Sequence, residues 1–211
     1  METSFGDMKV SMGDCDLHAT DVDLVDRVTG GDREAFAFLL SKYRDYVAGI
    51  VARHIPTEDV AETVHNVFVR AYLSLGKFRA SGEFRHWLAS IAVRTCYDYW
   101  RERYRRREIP MASLTEGHRE WIETILSEQS TEGYSESPYQ EEGLELLNWA
   151  LGMLSPEDRM VLELVYLQEN SIREAAALLG WSTANVKIRS FRARRKLQSL
   201  LSREINRGGK K

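Results

Sequence analysis

Residues 171–197 read SIREAAALLGWSTANVKIRSFRARRKL, and two helices with a short turn between them are legible in the letters. Ser171 and Glu174 have the spacing of a capping box, in which each side chain satisfies an amide that the first helical turn leaves orphaned. Gly180 closes that helix, because glycine accepts the left-handed backbone on which helices commonly end. Ser182 caps the next one. The pattern is a helix-turn-helix.

At 100° per residue, Val186, Ser190, Ala193, Leu197 and Leu200 share one side of the second helix and form its packing face. The opposite side carries Ala184, Ile188, Phe191, Arg192 and Arg195, flanked by Lys187. Six cations and no acid fall between Lys187 and Lys196, in a chain of 211 residues whose formal net charge is −3. Affinity for nucleic acid scales with the phosphates a protein neutralises, so a mildly acidic chain does not coat DNA indiscriminately. It binds through a patch. Cations mixed with apolar groups suit a major groove, where Lys or Arg reaches guanine edges and phosphates while apolar groups touch thymine methyls.

Outward from this stretch, the chain repeats helix signals and offers no alternating strand pattern, so the fold class is all-α. The spacing predicts a short helix over 21–28, broken by Gly30 and Gly31, and a longer one over 32–54. The longer helix buries a stripe of Phe36, Leu39, Leu40, Tyr43, Val47, Ile50 and Val51. Pro56 stops it, and Thr57 is the expected N-cap of a third helix with Glu58 and Asp59 in its first turn. That helix ends at Gly76. A fourth, over 83–107, ends in RERYRRR. Further on, Ser155 and Pro156 of SPED have the cap and first-turn chemistry of another helix start.

Between Ser113 and Glu145 the composition shifts to nine glutamates and a single cation, Arg119, with interspersed Gly, Ser and Pro. Such a segment builds no core and reads as an acidic flexible linker, with one helical turn around residues 121–126. The expected organisation is a flexible N-terminus over 1–20, a helical domain over 21–108, the linker over 109–141 and a second helical domain over 142–207. Two cysteines make no disulfide framework, and Cys96 lies within a helical pattern as a small core residue. Cys15 and His18 are two ligands where structural zinc wants four, so neither metal nor cofactor is expected. No apolar run approaches the ~20 residues of a membrane span, and the expected address is cytoplasmic.

On the fourth helix the stripe Phe84, Leu88, Ile91 and Thr95 faces inward, while Tyr97, Trp100 and Tyr104 gather opposite, beside Arg94 and Arg101. Aromatic rings stack unpaired bases and arginines hold phosphates, so this outward face is the expected site for melted DNA.

The stretches GDREAFAFLLSKY, DVAETVHNVFVRAYLSLGKFR and FRHWLASIAVRTCYDYWRER resemble region two of bacterial sigma factors. LSPEDRMVLELVYLQENSIREAAALLGWSTANVKIRSFRARRKL is similar to region four of the compact extracytoplasmic-function group. The resemblance covers nearly all of residues 21–201. It implies a subunit that binds core RNA polymerase through the beta and beta-prime subunits, directs it to promoter DNA and helps open the duplex, with no chemistry of its own. It further implies polymerase contacts at Glu62, His65, Asn66, Phe68 and Arg70 on the third helix. Capture of the minus-ten element falls to the loop of Phe78, Arg79, Ala80, Ser81 and Gly82, continued by Arg94, Tyr97, Trp100, Arg101 and Tyr104. Minus-thirty-five recognition falls to Arg173, Ser182, Ala184, Lys187, Ile188 and Arg189, with Phe191, Arg192 and Arg195. An anti-sigma inhibitor is a further family expectation. The chain departs from the family pattern at Glu62–Asn66, and has Ile91, Ala92, Val93 and Arg94 where the family has Ile-Ala-Arg-Asn.

Read from the residues alone, two rivals stay open: a two-domain helix-turn-helix regulator binding operators as a dimer, and a nucleic-acid enzyme. The second lacks the clustered carboxylates that two metals need. SLGK at 74–77 spells an S-x-x-K string without its partner motifs, and five scattered histidines assemble no HExxH.

Overall fold

The computed structural model describes residues 19–79, 82–106, 147 and 149–208, and all their regular structure is helical. A first bundle comprises α1 (Asp21–Thr29), α2 (Glu34–Ala52), α3 (Thr57–Ser74), a 3-10 turn (Leu75–Lys77) and α4 (Phe84–Arg106). A second comprises α5 (Pro156–Leu162), a π turn (Glu163–Leu167), α6 (Ile172–Leu179) and α7 (Thr183–Gly208), preceded by helical residues 149–152. The acidic segment over 109–141 with its expected turn, the Cys15/His18 pair, and Ala80 and Ser81 lie outside the described residues.

In the first bundle Leu39, Tyr43, Val47 and Val51 of α2 are buried against Val67, Phe68 and Ala71 of α3 and Phe84, Leu88 and Ala92 of α4. The helical periodicity anticipates this stripe, except that Leu40 is exposed. It sits one residue past the buried Leu39, about 100° around the helix and off the core-facing arc. Thr57 is not a cap: it is the first residue of α3, whose N-cap position is Pro56 with no side-chain bond. A capping box absent from the expectations starts α1, where Thr20 Oγ1 accepts from the Asp23 amide and the Asp23 carboxylate accepts from the Thr20 amide. Asp21 ties α1 to α2 by accepting from the Tyr43 hydroxyl at 2.5 Å and from Lys42 Nζ at 2.6 Å.

The second bundle follows its caps. Ser155 Oγ accepts from the Asp158 amide at 3.3 Å with Pro156 behind it, and Ser171 and Glu174 exchange the bonds of a capping box. Ser182 Oγ accepts from the Asn185 amide at 3.2 Å. Gly180 takes φ 72°, ψ 30°. The π turn is the unexpected element. Its i→i+5 bond, from the Gln168 amide to the Glu163 carbonyl at 2.9 Å, widens the helix by one residue before Glu169 reverses the chain at φ 52°.

The buried core does not stop at the boundary between bundles. Val93, Cys96 and Trp100 of α4 share one cluster with Met160, Val161, Leu164, Ala175, Ala176 and Leu179. Helix α4 is therefore central: one side closes the first bundle and the other receives the second. A smaller cluster of Leu147, Leu151, Leu154, Leu162 and Ala193 seats α7.

Two substitutions test this local chemistry by urea unfolding. Ser171→Ala, which removes the N-cap acceptor of α6, costs about 1 kcal/mol. Gly180→Ala forces a β-carbon onto a left-handed backbone and costs about 1–2 kcal/mol. The new β-carbon would also lie 2.7 Å from Arg94 Nη2, so Arg94 must withdraw.

Candidate nucleic-acid interface

Helix α7 presents the face that the wheel predicts. Val186, Ser190 and Ala193 are buried, Leu197 and Leu200 are half-buried, and Ser182, Ala184, Lys187, Ile188, Phe191, Arg192 and Arg195 are exposed. Ile188 and Phe191 keep 52% and 60% of their surface in solvent, too much for isolated core residues. The Arg195 guanidinium lies 5.6 Å from the Phe191 ring centre, so cation and ring form one continuous strip. Arg173, on α6, is exposed as well. Arg189 departs from the expected face: its Nη1 pairs with Asp158 Oδ1 at 3.0 Å and its guanidinium lies 5.8 Å from the Trp181 ring centre. It braces α7 on α5.

The α4 face requires a correction. Tyr97, Trp100 and Tyr104 were expected to point outward together, yet only Tyr104 and Arg101 are exposed with Arg94. Trp100 keeps 6% of its surface: its Nε1 donates to the His54 carbonyl at 2.8 Å, and the Arg159 guanidinium covers its ring at 3.6 Å. Tyr97 packs edge-on to Trp181 at 5.8 Å and donates to Glu157 Oε1 at 3.0 Å. Burial, and after it the bond to Glu157, push the Tyr97 phenol up from its ordinary range. Arg94 reaches across to the C-terminus of α6, where Nε donates to the Leu178 carbonyl at 3.2 Å and Nη2 to the Ala177 carbonyl at 3.5 Å. A cation at the negative end of a helix dipole is favourably placed. The periodicity located these residues on one face correctly, but the second bundle covers the part of it that holds Tyr97 and Trp100.

At the centre of that contact lies a desolvated polar group that the sequence reading passed over. His54 Nδ1 is 2.6 Å from Glu163 Oε2, Arg159 Nε donates to Glu163 Oε1 at 2.7 Å, and the Gln168 amide nitrogen is 2.9 Å from His54 Nε2. An amide nitrogen only donates, so Nε2 accepts and Nδ1 carries the hydrogen directed at the carboxylate. His54 and Glu163 are fully buried and Arg159 nearly so. Among the described residues Arg159 Nη2 finds no hydrogen-bond partner, and its guanidinium rests on Trp100 instead. The sequence did carry a signal: Glu163 is a lone acid inside VLELVYL, and a buried acid demands a partner. Cys96 is fully buried beside this group; burial first, then the Glu163 carboxylate, push its thiol well above the usual range.

In the loop after α3, Phe78 is half-buried, with its ring 5.5 Å from those of both Phe84 and Trp87, while Arg79 and Gly82 are exposed. On α3, Glu62, His65, Asn66 and Arg70 are exposed, Arg70 paired with Asp98. Phe68 is the exception. It is buried among Val67, Ala71 and the α2 core, so it holds α3 in place and offers nothing to a partner. The apolar exposure lies elsewhere on α3, at Val69, Tyr72 and Leu73, the last with 77% of its surface in solvent. These fall off the core stripe, which is why a reading tuned to burial missed them. An open groove of about 910 Å³ separates this helix from the end of α4, lined by Glu62, Asn66, Arg70, Asp98, Arg101 and Arg105 among others. Among the described residues no cluster of His, Cys, Asp or Glu could hold a metal ion, and no helix is long and apolar enough to cross a membrane.

Residues 39–106 match the family described as Sigma-70 region 2, and residues 144–197 match Sigma-70, region 4. The ECF RNA polymerase sigma-E factor of Escherichia coli K12 is 32% identical over 188 residues, which cover 87% of this chain and 97% of that protein. Among solved structures, CnrH in complex with the cytosolic domain of CnrY is 26% identical at a TM-score of 0.48, over 85% of this chain and 95% of that one. The sigma factor RpoE of Bartonella quintana, in complex with the anti-sigma factor NepR, is 22% identical at a TM-score of 0.46, over 79% of this chain and 96% of that one.

Glu163→Gln leaves Arg159 and His54 facing a neutral amide in a dry interior, and breaking a buried pair from one side costs about 3 kcal/mol or more. Urea unfolding measures that loss, and the far-ultraviolet spectrum in water remains helical.

Proposed function

The chain belongs to the extracytoplasmic-function (ECF) sigma factors, alternative sigma factors that direct RNA polymerase, and on that premise we propose how its surfaces divide the work. The second domain reads the minus-thirty-five element through α7. Lys187, Ile188 and Phe191 face the groove floor with Ala184. Ser182, Arg173, Arg192 and Arg195 hold the flanking phosphates, and Arg189 positions the helix from its bond to Asp158. The observation that carries this reading is the exposed strip of apolar and cationic groups on α7, mounted on a helix-turn-helix whose caps are all made.

The first domain serves the minus-ten element with the loop from Phe78 to Gly82 and the exposed α4 residues Arg94, Arg101 and Tyr104. Polymerase docks on α3, where Glu62, His65, Asn66 and Arg70 are joined by Val69, Tyr72 and Leu73. Exposed apolar side chains of that size gain most from a partner, since burying one contributes about 1.5–3 kcal/mol. The dimeric operator-binding regulator is not favoured, because the first domain matches a sigma region in its own right. The factor works in the cytoplasm with core polymerase and promoter DNA as partners and an anti-sigma protein as its inhibitor, and the polymerase supplies the chemistry.

Run-off transcription with bacterial core polymerase tests the whole reading: the chain supports promoter-specific initiation, and the core enzyme without it does not. Within that assay Lys187→Ala changes the preferred minus-thirty-five sequence. Arg195→Ala weakens all sequences alike and lowers the salt slope by about one phosphate's worth. Equal effects from both would overturn the division. Leu73→Asp weakens capture of core polymerase about tenfold or more in a pull-down, because a charge would have to be desolvated at the centre of the contact, and leaves the melting temperature unchanged.

A further inference from the structure

We propose that Asp158 sharpens the sequence discrimination of the minus-thirty-five contact by withholding Arg189 and Lys196 of α7 from DNA phosphates. The inference rests on the assignment of α7 to that element made above. Asp158 Oδ1 accepts from Arg189 Nη1 at 3.0 Å, and Asp158 Oδ2 lies 3.8 Å from Lys196 Nζ. Two helical turns separate the cations along one side of α7, so a single carboxylate on α5 meets both.

Asp158 is well placed to carry this charge. It lies in the first turn of α5, where its own amide donates to Ser155 Oγ at 3.3 Å and the positive end of the helix dipole favours a carboxylate. The side chains of Arg189 and Lys196 keep 37% and 48% of their surface in solvent. Ion pairs open to water in this way contribute little to stability, so the fold does not require them. Their effect on DNA is larger. A phosphate approaching this flank meets two cations with an anion between them, and so a net charge of one in place of two.

The position of the two cations turns lower charge into discrimination. At about 100° per residue, Arg189 and Lys196 stand about 120° or more around α7 from Ala184, Lys187 and Phe191. When base contacts fix α7 in one register, that flank faces α5 and not the groove floor. A complex without base contacts has no fixed register, and the protein can roll on the duplex until any free cation meets a phosphate. Freed cations therefore add more to sequence-independent binding, which scales with the phosphates neutralised, than to the specific complex. Specificity is a difference of affinities, and an acid that weakens the wrong complex raises it as surely as a contact that strengthens the right one. Arg194 is turned aside by different means, its guanidinium 5.7 Å from the Tyr166 ring centre. Of the six cations between Lys187 and Lys196, the reading face keeps Lys187, Arg192 and Arg195.

The test follows the full chain by fluorescence anisotropy on two labelled duplexes. One carries the upstream element of a promoter that wild type transcribes in the run-off assay, and the other carries that element scrambled. Asp158→Asn keeps the shape of the side chain and removes its charge. At about 50 mM salt the expected result is scrambled-duplex affinity raised about fivefold, and specific-duplex affinity changed less than about twofold. The double-logarithmic salt slope on the scrambled duplex steepens by about one to two phosphates' worth. Lys196→Gln takes back part of that gain in the Asp158→Asn background, and changes scrambled-duplex affinity less than about twofold on its own. Circular dichroism confirms folding, and Asp158→Ser, equally neutral, decides if Asp158→Asn does not fold. Folded variants that bind both duplexes more weakly would show that Asp158 is a brace and nothing more, and overturn the inference. An equal gain on both duplexes, or no change on either, would overturn it as well. These results leave the assignment of α7 standing, whereas a wild-type chain that does not distinguish the two duplexes would bring down that assignment and the inference together.

Discussion

Burying a carboxylate is costly enough that the rest of a structure must answer for it, and in this protein the answer comes from both ends of the chain. Glu163 sits inside a run of apolar residues with its two oxygens committed, one to Arg159 four residues earlier and one to His54, 109 residues away. An unpaired charge in that position would cost several kcal/mol. The fold therefore depends on α2 ending where it does, with His54 in the turn just past its end. It depends equally on Trp100 being drawn in to donate to the His54 carbonyl and to carry Arg159 on its face. The two bundles share one apolar cluster across α4, and this buried polar group lies beside it.

What was legible in the sequence is what local chemistry determines. The caps at Ser155, Ser171 and Ser182, the left-handed Gly180 and the packing stripe of α7 are decided within a few residues, and each stands where the letters place it. The family assignment was legible too, because two motifs in the right order are far more specific than either alone. Thr57 failed as a cap because Pro56, with its fixed backbone, takes the position just before the helix. Trp100 and Tyr97 were misread for a different reason: periodicity states that residues share a face, and nothing in it states what covers that face. Phe68 shows the same limit in reverse, since a family expectation named it a contact and the core claimed it.

Electrostatics follow the same division between local and distant. Lys187, Arg192 and Arg195 of α7 stand exposed, whereas cations that meet acids on other elements, Arg189 at Asp158 and Arg103 at Asp59, act as braces. A cation count along a helix thus overstates its binding face. Structure removes Arg189 from that count and keeps Lys187, Arg192 and Arg195.

The π turn over Glu163–Leu167 carries a consequence for how such a chain can change length. Its extra residue returns Gln168 over Glu163, on the side that faces His54, where a regular α-helix would carry it away. Removing one residue there would let the helix relax to ordinary geometry and turn everything downstream by about 100°. The helix-turn-helix would then face a different direction relative to α4. The few positions from Arg159 to Glu169 therefore act as a gear whose tooth count sets the angle at which the helix-turn-helix meets α4.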